Sequence, residues 1–438
     1  MKKPLIAGVI AFLLAASAAA TRADTVTVVT SFPKELSAAY KKAYEQRHPG
    51  TTVEILSMST EAAISHVEGT RPGERPDVFW ASAPHAFQAM AREGLLAKAP
   101  EVKNPAVPPS IGKYPMNDPA GFYFGQALSG YGIMWNKRYF ESRRLPAPQQ
   151  WQDLTKEMYF GHVAMSAPSR SATTHLTVET ILQGEGWLRG WTQVLQIAGN
   201  CKTITERSFD VPEGVGAGTF GAGLVIDFFG LASKYTGKPV DFIYPAMTAV
   251  VPASIALVNG GRNAEGGKRF MAFALSRHGQ EILLEPKISR IPVLPYGDLL
   301  DSVPGTYPNI FGIVRRVKVT FDPNLAESRR LVVSGLFDRT IGALLPELQA
   351  ATAAIHDAER VLGERNHERA RALLARARAH AYTPVLEEPK AGAGNSLKSS
   401  ADAAEKLVAA SGPKWQEEAR LNYRKAQQLA SEAAAMLR

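Results

Sequence analysis

Between residues 166 and 176 the chain reads SAPSRSATTHL, directly before a segment with a helical pattern through Gln183. Ser169, Ser171, Thr173 and Thr174 offer four hydroxyl donors around Ala172, and Arg170 adds a guanidinium. The first N–H groups of a helix lack intrahelical partners and carry the positive end of its dipole. Phosphate oxygens accept from such N–H groups and from neighbouring hydroxyls, and an arginine adds a bidentate, charge-assisted contact. The stretch therefore has the chemistry of an anion site. It also fits an ordinary helix start: Ser169 or Ser171 as an N-cap worth about 1 kcal/mol, Thr174 in solvent and Arg170 as a surface charge. His175 has no partner in the sequence and reads as structural.

Other chemistries find less support. There is no G-x-S-x-G elbow and no H-E-x-x-H helix, and the nine histidines are scattered without a pair at ligand spacing. A hydrolase is the main alternative class, yet no catalytic residue, metal site or cofactor can be assigned.

The elements that must position the hydroxyl cluster follow a clear rhythm. TVTVVT at 25–30 is a β-branched run suited to a buried strand. A helix is expected over 34–46, with Leu36, Tyr40 and Tyr44 at four-residue spacing. TTVEILSMS, a helical pattern through Val67, PDVFWAS and a helix from His85 to Glu93 come next. Strand and helix alternating in this way predict a parallel α/β layer, whose ligands sit beyond the carboxyl ends of the strands. Those ends supply Ser31 and Phe32, Ser59 and Thr60, and Trp80 and Ser82, hydroxyls for a sugar or glycerate with aromatics to pack on its apolar face. A second block carries HVAMS, the hydroxyl cluster and GLVIDFFGLASKY. TAVVPASIALV reads as a return strand, 264–284 as a helix, and ISRIPVLP follows. Asp227 lies between apolar neighbours, able to accept from ligand hydroxyls or to cap the next helix. Arg290 in ISRIPV has two readings, facing the cleft or forming half of a structural salt bridge, and the second fits the sequence better.

The fold class expected is α/β: two lobes with a cleft between them, joined by crossing hinge strands, plus an α-helical extension at the C-terminus. The expected boundaries are residues 1–23 as a signal peptide, 24–130 as the first part of lobe 1 and 131–248 as lobe 2. Residues 249–345 form the remainder, mainly of lobe 1, and 346–438 the extension. In the extension Leu348, Ile355 and Leu362 recur at seven-residue spacing, as in amphipathic helices. A break is expected near Gly363, a linker over 384–400, and two final helices separated by Gly412-Pro413. Packing against the lobes and docking to a partner both suit this tail.

The amino terminus answers the question of compartment. Met1-Lys2-Lys3, an apolar run over 5–16 and small residues up to Ala20 or Ala23 read as a cleaved secretory signal. No later run of about 18 apolar residues follows. The expected location is periplasmic. The formal net charge is +9, spread thinly enough to suit a small anionic ligand rather than nucleic acid. Cys201 is the sole cysteine, so no intramolecular disulfide forms. Beside Ala198 and Gly199 it reads as a small buried hydrophobe rather than a reactive thiol.

Five stretches carry a family resemblance: PDVFWAS, SGYGIMWNKRYF, SAPSRSATTHLTVETILQGEGW, GLVIDFFGLASKYTG and GQEILLEPKISRIPV. In this order the chain resembles the solute-binding proteins of bacterial ABC importers, in the branch that includes ferric-iron, hexose-phosphate and phosphoglycerate binders. Its tail resembles that of the extended phosphoglycerate-transport regulatory proteins. The resemblance implies capture of a small ligand by lobe closure, delivery to an ABC permease and, through the tail, contact with a periplasmic sensor domain. It implies that the hydroxyl cluster lines the pocket. Ferric-iron members bind metal through two adjacent tyrosines, whose places here hold Phe228 and Phe229, so iron is disfavoured. A phosphorylated metabolite such as a hexose phosphate or phosphoglycerate remains.

Overall fold

The structure, a computed structural model, describes residues 24–299, 302–305, 307–389 and 397–438. The expected signal peptide lies outside the described residues. The β-branched run forms the strand Asp24–Thr30, flanked in parallel by Thr51–Ser57 and Val78–Ala81. Val26 and Val28 face one apolar cluster and Val29 the other, as befits a strand covered on both faces. A second parallel set consists of Ala222–Ile226, Val163–Ser166 and Cys201–Thr205.

Two antiparallel strands join the sets. Val250–Val258 pairs with Val78–Ala81 on one side and with the long strand Tyr123–Asn136 on the other. The far half of Tyr123–Asn136 then pairs with Ala222–Ile226. These are the crossing strands expected between two lobes. Gly132 on the long strand has no room for a side chain, since a Cβ there would meet the Ile243 carbonyl oxygen at 2.1 Å.

The helices agree with the sequence in place and differ in detail. Lys34–Arg47 buries Leu36, Tyr40 and Tyr44 as its spacing requires. The segment read as one helix over 264–284 is two, Ala264–Leu275 and Arg277–Ile282, because Ser276 caps the second by accepting from the Gly279 N–H. The tail breaks at Gly363, where φ is +48°. Its last two expected helices are one, Leu397–Ala435, running straight through Pro413. Buried Trp415, Ala419, Tyr423, Ala426 and Leu429 hold that helix against its neighbours, so tertiary packing outweighs the penalty of an interior proline.

The tail is built into the second lobe. One apolar cluster runs from Trp187, Trp191 and Ile197 through Leu348 and Ile355 to Tyr423 and Leu429. Polar contacts fix the same seam: His356 Nε2 lies 2.9 Å from Asn200 Oδ1, and the Gln349 amide donates to the Cys201 carbonyl. Cys201 is buried, and burial raises its thiol far above the usual range. No helix among the described residues is long and apolar enough to cross a membrane.

Candidate ligand-binding cleft

Six parallel strands, three from each lobe, point their carboxyl ends at one cavity of about 540 Å³. Asp24–Thr30 delivers Ser31 and Phe32, Thr51–Ser57 delivers Ser59 and Thr60, and Val78–Ala81 delivers Ser82. From the second lobe, Val163–Ser166 leads to Arg170, Ser171, Ala172 and Thr173. Cys201–Thr205 leads to Ser208 and Phe209, and Ala222–Ile226 to Phe228 and Phe229.

The same loops open five helices onto the cavity: Lys34–Arg47, Thr60–Gly69, Ala172–Glu185, Asp210–Ala217 and Asp227–Tyr235. Two are capped by serine. Ser59 Oγ accepts from the Ala62 N–H and Ser171 Oγ from the Thr174 N–H, leaving each hydroxyl proton able to donate elsewhere. Thr60 donates to Ser31 at 3.1 Å, and Ser82 lies 3.2 Å from Ser129 on the crossing strand. Arg170 is half-exposed and pairs with Glu206 at 2.6 Å.

Four residues expected at the site do not line it. Trp80 is fully buried, its ring edge-on to Phe32 at 5.1 Å and its Nε1 donating to Gln126. It supports the Phe32 ring from behind. Ser169 turns outward and donates to Asp338 at 2.8 Å. Thr174 is buried as the third residue of the helix Ala172–Glu185. Asp227 sits beneath the cavity floor, accepting from the N–H groups of Gly130 and Phe228 and from the Tyr244 hydroxyl. Burial raises its carboxyl to about 7. Its oxygens hold the hinge strand to the start of the helix Asp227–Tyr235, which it does not cap, so neither the ligand contact nor the capping role read from the sequence is the one it takes. His175 is structural, buried with Nε2 3.1 Å from the Ala326 carbonyl.

Arg290 takes the cleft-facing place of its two readings and makes no salt bridge among the described residues. It is 2 % exposed and lines the cavity, its guanidinium stacked between Phe32 at 4.1 Å and Phe228 at 3.9 Å. Its Nη1 and Nη2 are buried without a hydrogen-bond partner among the described residues. Burial lowers the guanidinium to about 10, so it remains a cation at neutral pH. Ser289, at φ +46°, turns the chain into Arg290, whose N–H donates to the Leu283 carbonyl and whose carbonyl accepts from Tyr307.

Lys34, Glu61, Ser208, Phe209, Glu213, Phe228 and Phe229 also line the cavity, and none was expected there as a ligand contact. The carboxyl-end rule, applied to the second lobe as to the first, reaches Ser208, Phe209, Phe228 and Phe229. Neither phenylalanine offers a donor atom where iron-binding relatives are expected to hold tyrosine.

Residues 73–312 match the model of the bacterial extracellular solute-binding protein family. The phosphoglycerate transport regulatory protein PgtC of Salmonella typhimurium is 32% identical over 319 residues, covering 72% of this chain and 76% of the relative. The chain belongs to the bacterial extracellular solute-binding proteins. Among solved structures, this solute-binding protein resembles the periplasmic binding protein AfuA from Actinobacillus pleuropneumoniae with fructose-6-phosphate bound. The TM-score is 0.62 at 16% identity, covering 73% of this chain and 99% of that one. It resembles a ferric binding protein from Campylobacter jejuni at a TM-score of 0.54 and 15% identity, covering 70% and 99%. Both likenesses describe the two-lobed periplasmic binding protein fold.

Proposed function

We propose that this chain is a periplasmic receptor that captures a small phosphorylated organic anion, of hexose phosphate or phosphoglycerate type, by lobe closure and delivers it to an ABC importer. One observation carries the reading: hydroxyl-bearing amino-terminal turns of helices from both lobes open onto a single cavity. A tetrahedral anion there accepts from N–H groups and hydroxyls on both walls at once, so it binds the closed form more tightly than the open one. The walls hold no tyrosine pair to serve a hard trivalent metal. The name of the relative PgtC, a phosphoglycerate transport regulatory protein, points to the same ligand class.

A second reading, ligand sensing through the tail, draws on a specific contact. The short helix Pro323–Ser328 follows the cleft strands in the chain, and it meets the first lobe where Arg92 donates to Asn324 at 3.3 Å. Lobe position is thereby coupled to the segment that leads into the tail. Exchange of Arg92 and Asn324 for alanine separates the roles. In a reporter strain, sensing predicts lost induction with uptake retained; loss of both together contradicts a separate signalling role.

Thermal-shift screening of the mature protein against phosphorylated metabolites, with inorganic phosphate and ferric citrate alongside, tests the main proposal. Stabilisation by an organic phosphate is the expected result. Stabilisation by ferric citrate alone rules it out. A ligand shift that survives Ser171→Ala combined with Thr173→Ala removes the hydroxyl cluster from the site.

A further inference from the structure

We propose that Arg290 selects the charge of the ligand, accepting a phosphate monoester dianion and rejecting neutral or singly charged analogues. The inference rests on the phosphate-ester reading of the cleft and names the residue and the ionisation state within it.

The guanidinium is confined on every side but one. Phe32 covers one face and Phe228 the other. The first ring follows the strand Asp24–Thr30 and the second follows Ala222–Ile226, so each lobe supplies one. Only the edge carrying Nη1 and Nη2 remains, and both atoms are buried and unpartnered in the cavity wall. A buried cation normally has a carboxylate at hydrogen-bond distance. The nearby carboxylate, Asp227, already accepts from Gly130, Phe228 and Tyr244 and makes no ion pair with Arg290. Asp227 acts on the guanidinium only through space, so a hydrogen-bonded counter-charge is left to the ligand.

The two free nitrogens fit two oxygens of one anion side by side. A carboxylate would use both its oxygens on this fork and leave the hydroxyls of Ser59, Ser171 and Thr173 unanswered. A phosphate keeps further oxygens for those donors. Charge matters as much as shape. Arg290 follows the chain of the first lobe, so opening the cleft carries Phe228 away and lets water reach the guanidinium. Closing it strips that water, and a stronger anion offsets the loss more completely. Arg290 thus makes closure depend on the ligand's second negative charge.

Calorimetric titration tests this on the mature, full-length protein. The probes are a hexose phosphate, a phosphoglycerate, their unphosphorylated parents and the corresponding sulfate ester, whose head keeps a single charge at every pH used. The wild type should bind at least one phosphate ester, and more tightly as pH rises through the second phosphate ionisation near about 6. The sulfate ester should bind far more weakly. Arg290→Gln should lose about a hundredfold or more in phosphate-ester affinity, along with the pH dependence and the preference over sulfate. Arg290→Met should keep a ligand-free thermal midpoint close to or above that of the wild type, because the guanidinium makes no ion pair with the protein that its removal would break. Equal binding of sulfate and phosphate esters by the wild type, undiminished binding by Arg290→Gln, or a large drop in the ligand-free midpoint of Arg290→Met each overturns the proposal. Failure of the wild type to bind any phosphate ester overturns the underlying reading, and the proposal with it.

Discussion

Ser171 caps its helix with the oxygen that faces the cleft. Exchange for alanine should therefore lower two measured quantities at once. Urea unfolding should show a loss of about 1 kcal/mol from the missing cap, and calorimetry an affinity roughly tenfold weaker for a phosphate ester from the missing donor. Ser171→Gly separates the two effects, since glycine recovers most of the cap stability and none of the affinity. The hydroxyl cluster was legible in the sequence because capping and anion binding depend on local order along the chain. Arg290 was not. Whether the arginine between Ser289 and Ile291 finds a carboxylate or two phenyl rings depends on segments far away, here Phe32 and Phe228. Trp80 and Asp227 were displaced from the site for a related reason: sequence marks a strand end without showing which residue faces the cavity and which lies beneath it.

At the scale of elements, the parallel strands and their helices were legible from β-branched runs and four-residue spacing, and the carboxyl-end rule led from them to the cleft. The tail was harder. Its heptad-like spacing identifies apolar faces without identifying what covers them, and Gly412-Pro413 reads as a stop until Trp415 and Tyr423 are seen buried beyond it. The covering surface is the second lobe itself. Gly199 illustrates the closeness of that seam: a Cβ there would meet Thr352 Oγ1 at 2.2 Å. Deleting residues after Leu345 would uncover Val194, Ile197 and Ala198. The truncated chain is expected to lose cooperative unfolding of the second lobe in denaturant titrations and to bind a hydrophobic dye. A truncated protein that unfolds as sharply as the full chain would show the tail to be dispensable for stability.

Across the whole molecule, His85 of the first lobe and His175 of the second are both buried, and His85 acts electrostatically on His175. Burial lowers His85 to about 4 and His175 to about 3. Unfolded histidine binds its proton near about 6.5, so on acidification the unfolded state takes up protons first. The stability these neutral rings contribute is present above about 6.5 and is lost as pH falls toward 4. Asp227 works in the opposite sense, its raised carboxyl removing stability as pH rises from the ordinary Asp range through about 7. Exchange of His85 for glutamine isolates the histidine contribution: the loss of stability between pH 6.5 and 4, followed by urea midpoints, should shrink relative to the wild type. An unchanged slope would place His85 outside the pH response. The two-lobed plan itself was readable from the order of strands. The electrostatic coupling of His85 to His175 was not, because they stand 90 positions apart on separate lobes.

Small-angle scattering during titration with a phosphate ester tests capture by closure most directly. The mature protein should contract as one equivalent of a hexose phosphate or phosphoglycerate binds, and should remain unchanged with the unphosphorylated parent. Contraction with ferric citrate but with no phosphate ester would contradict it.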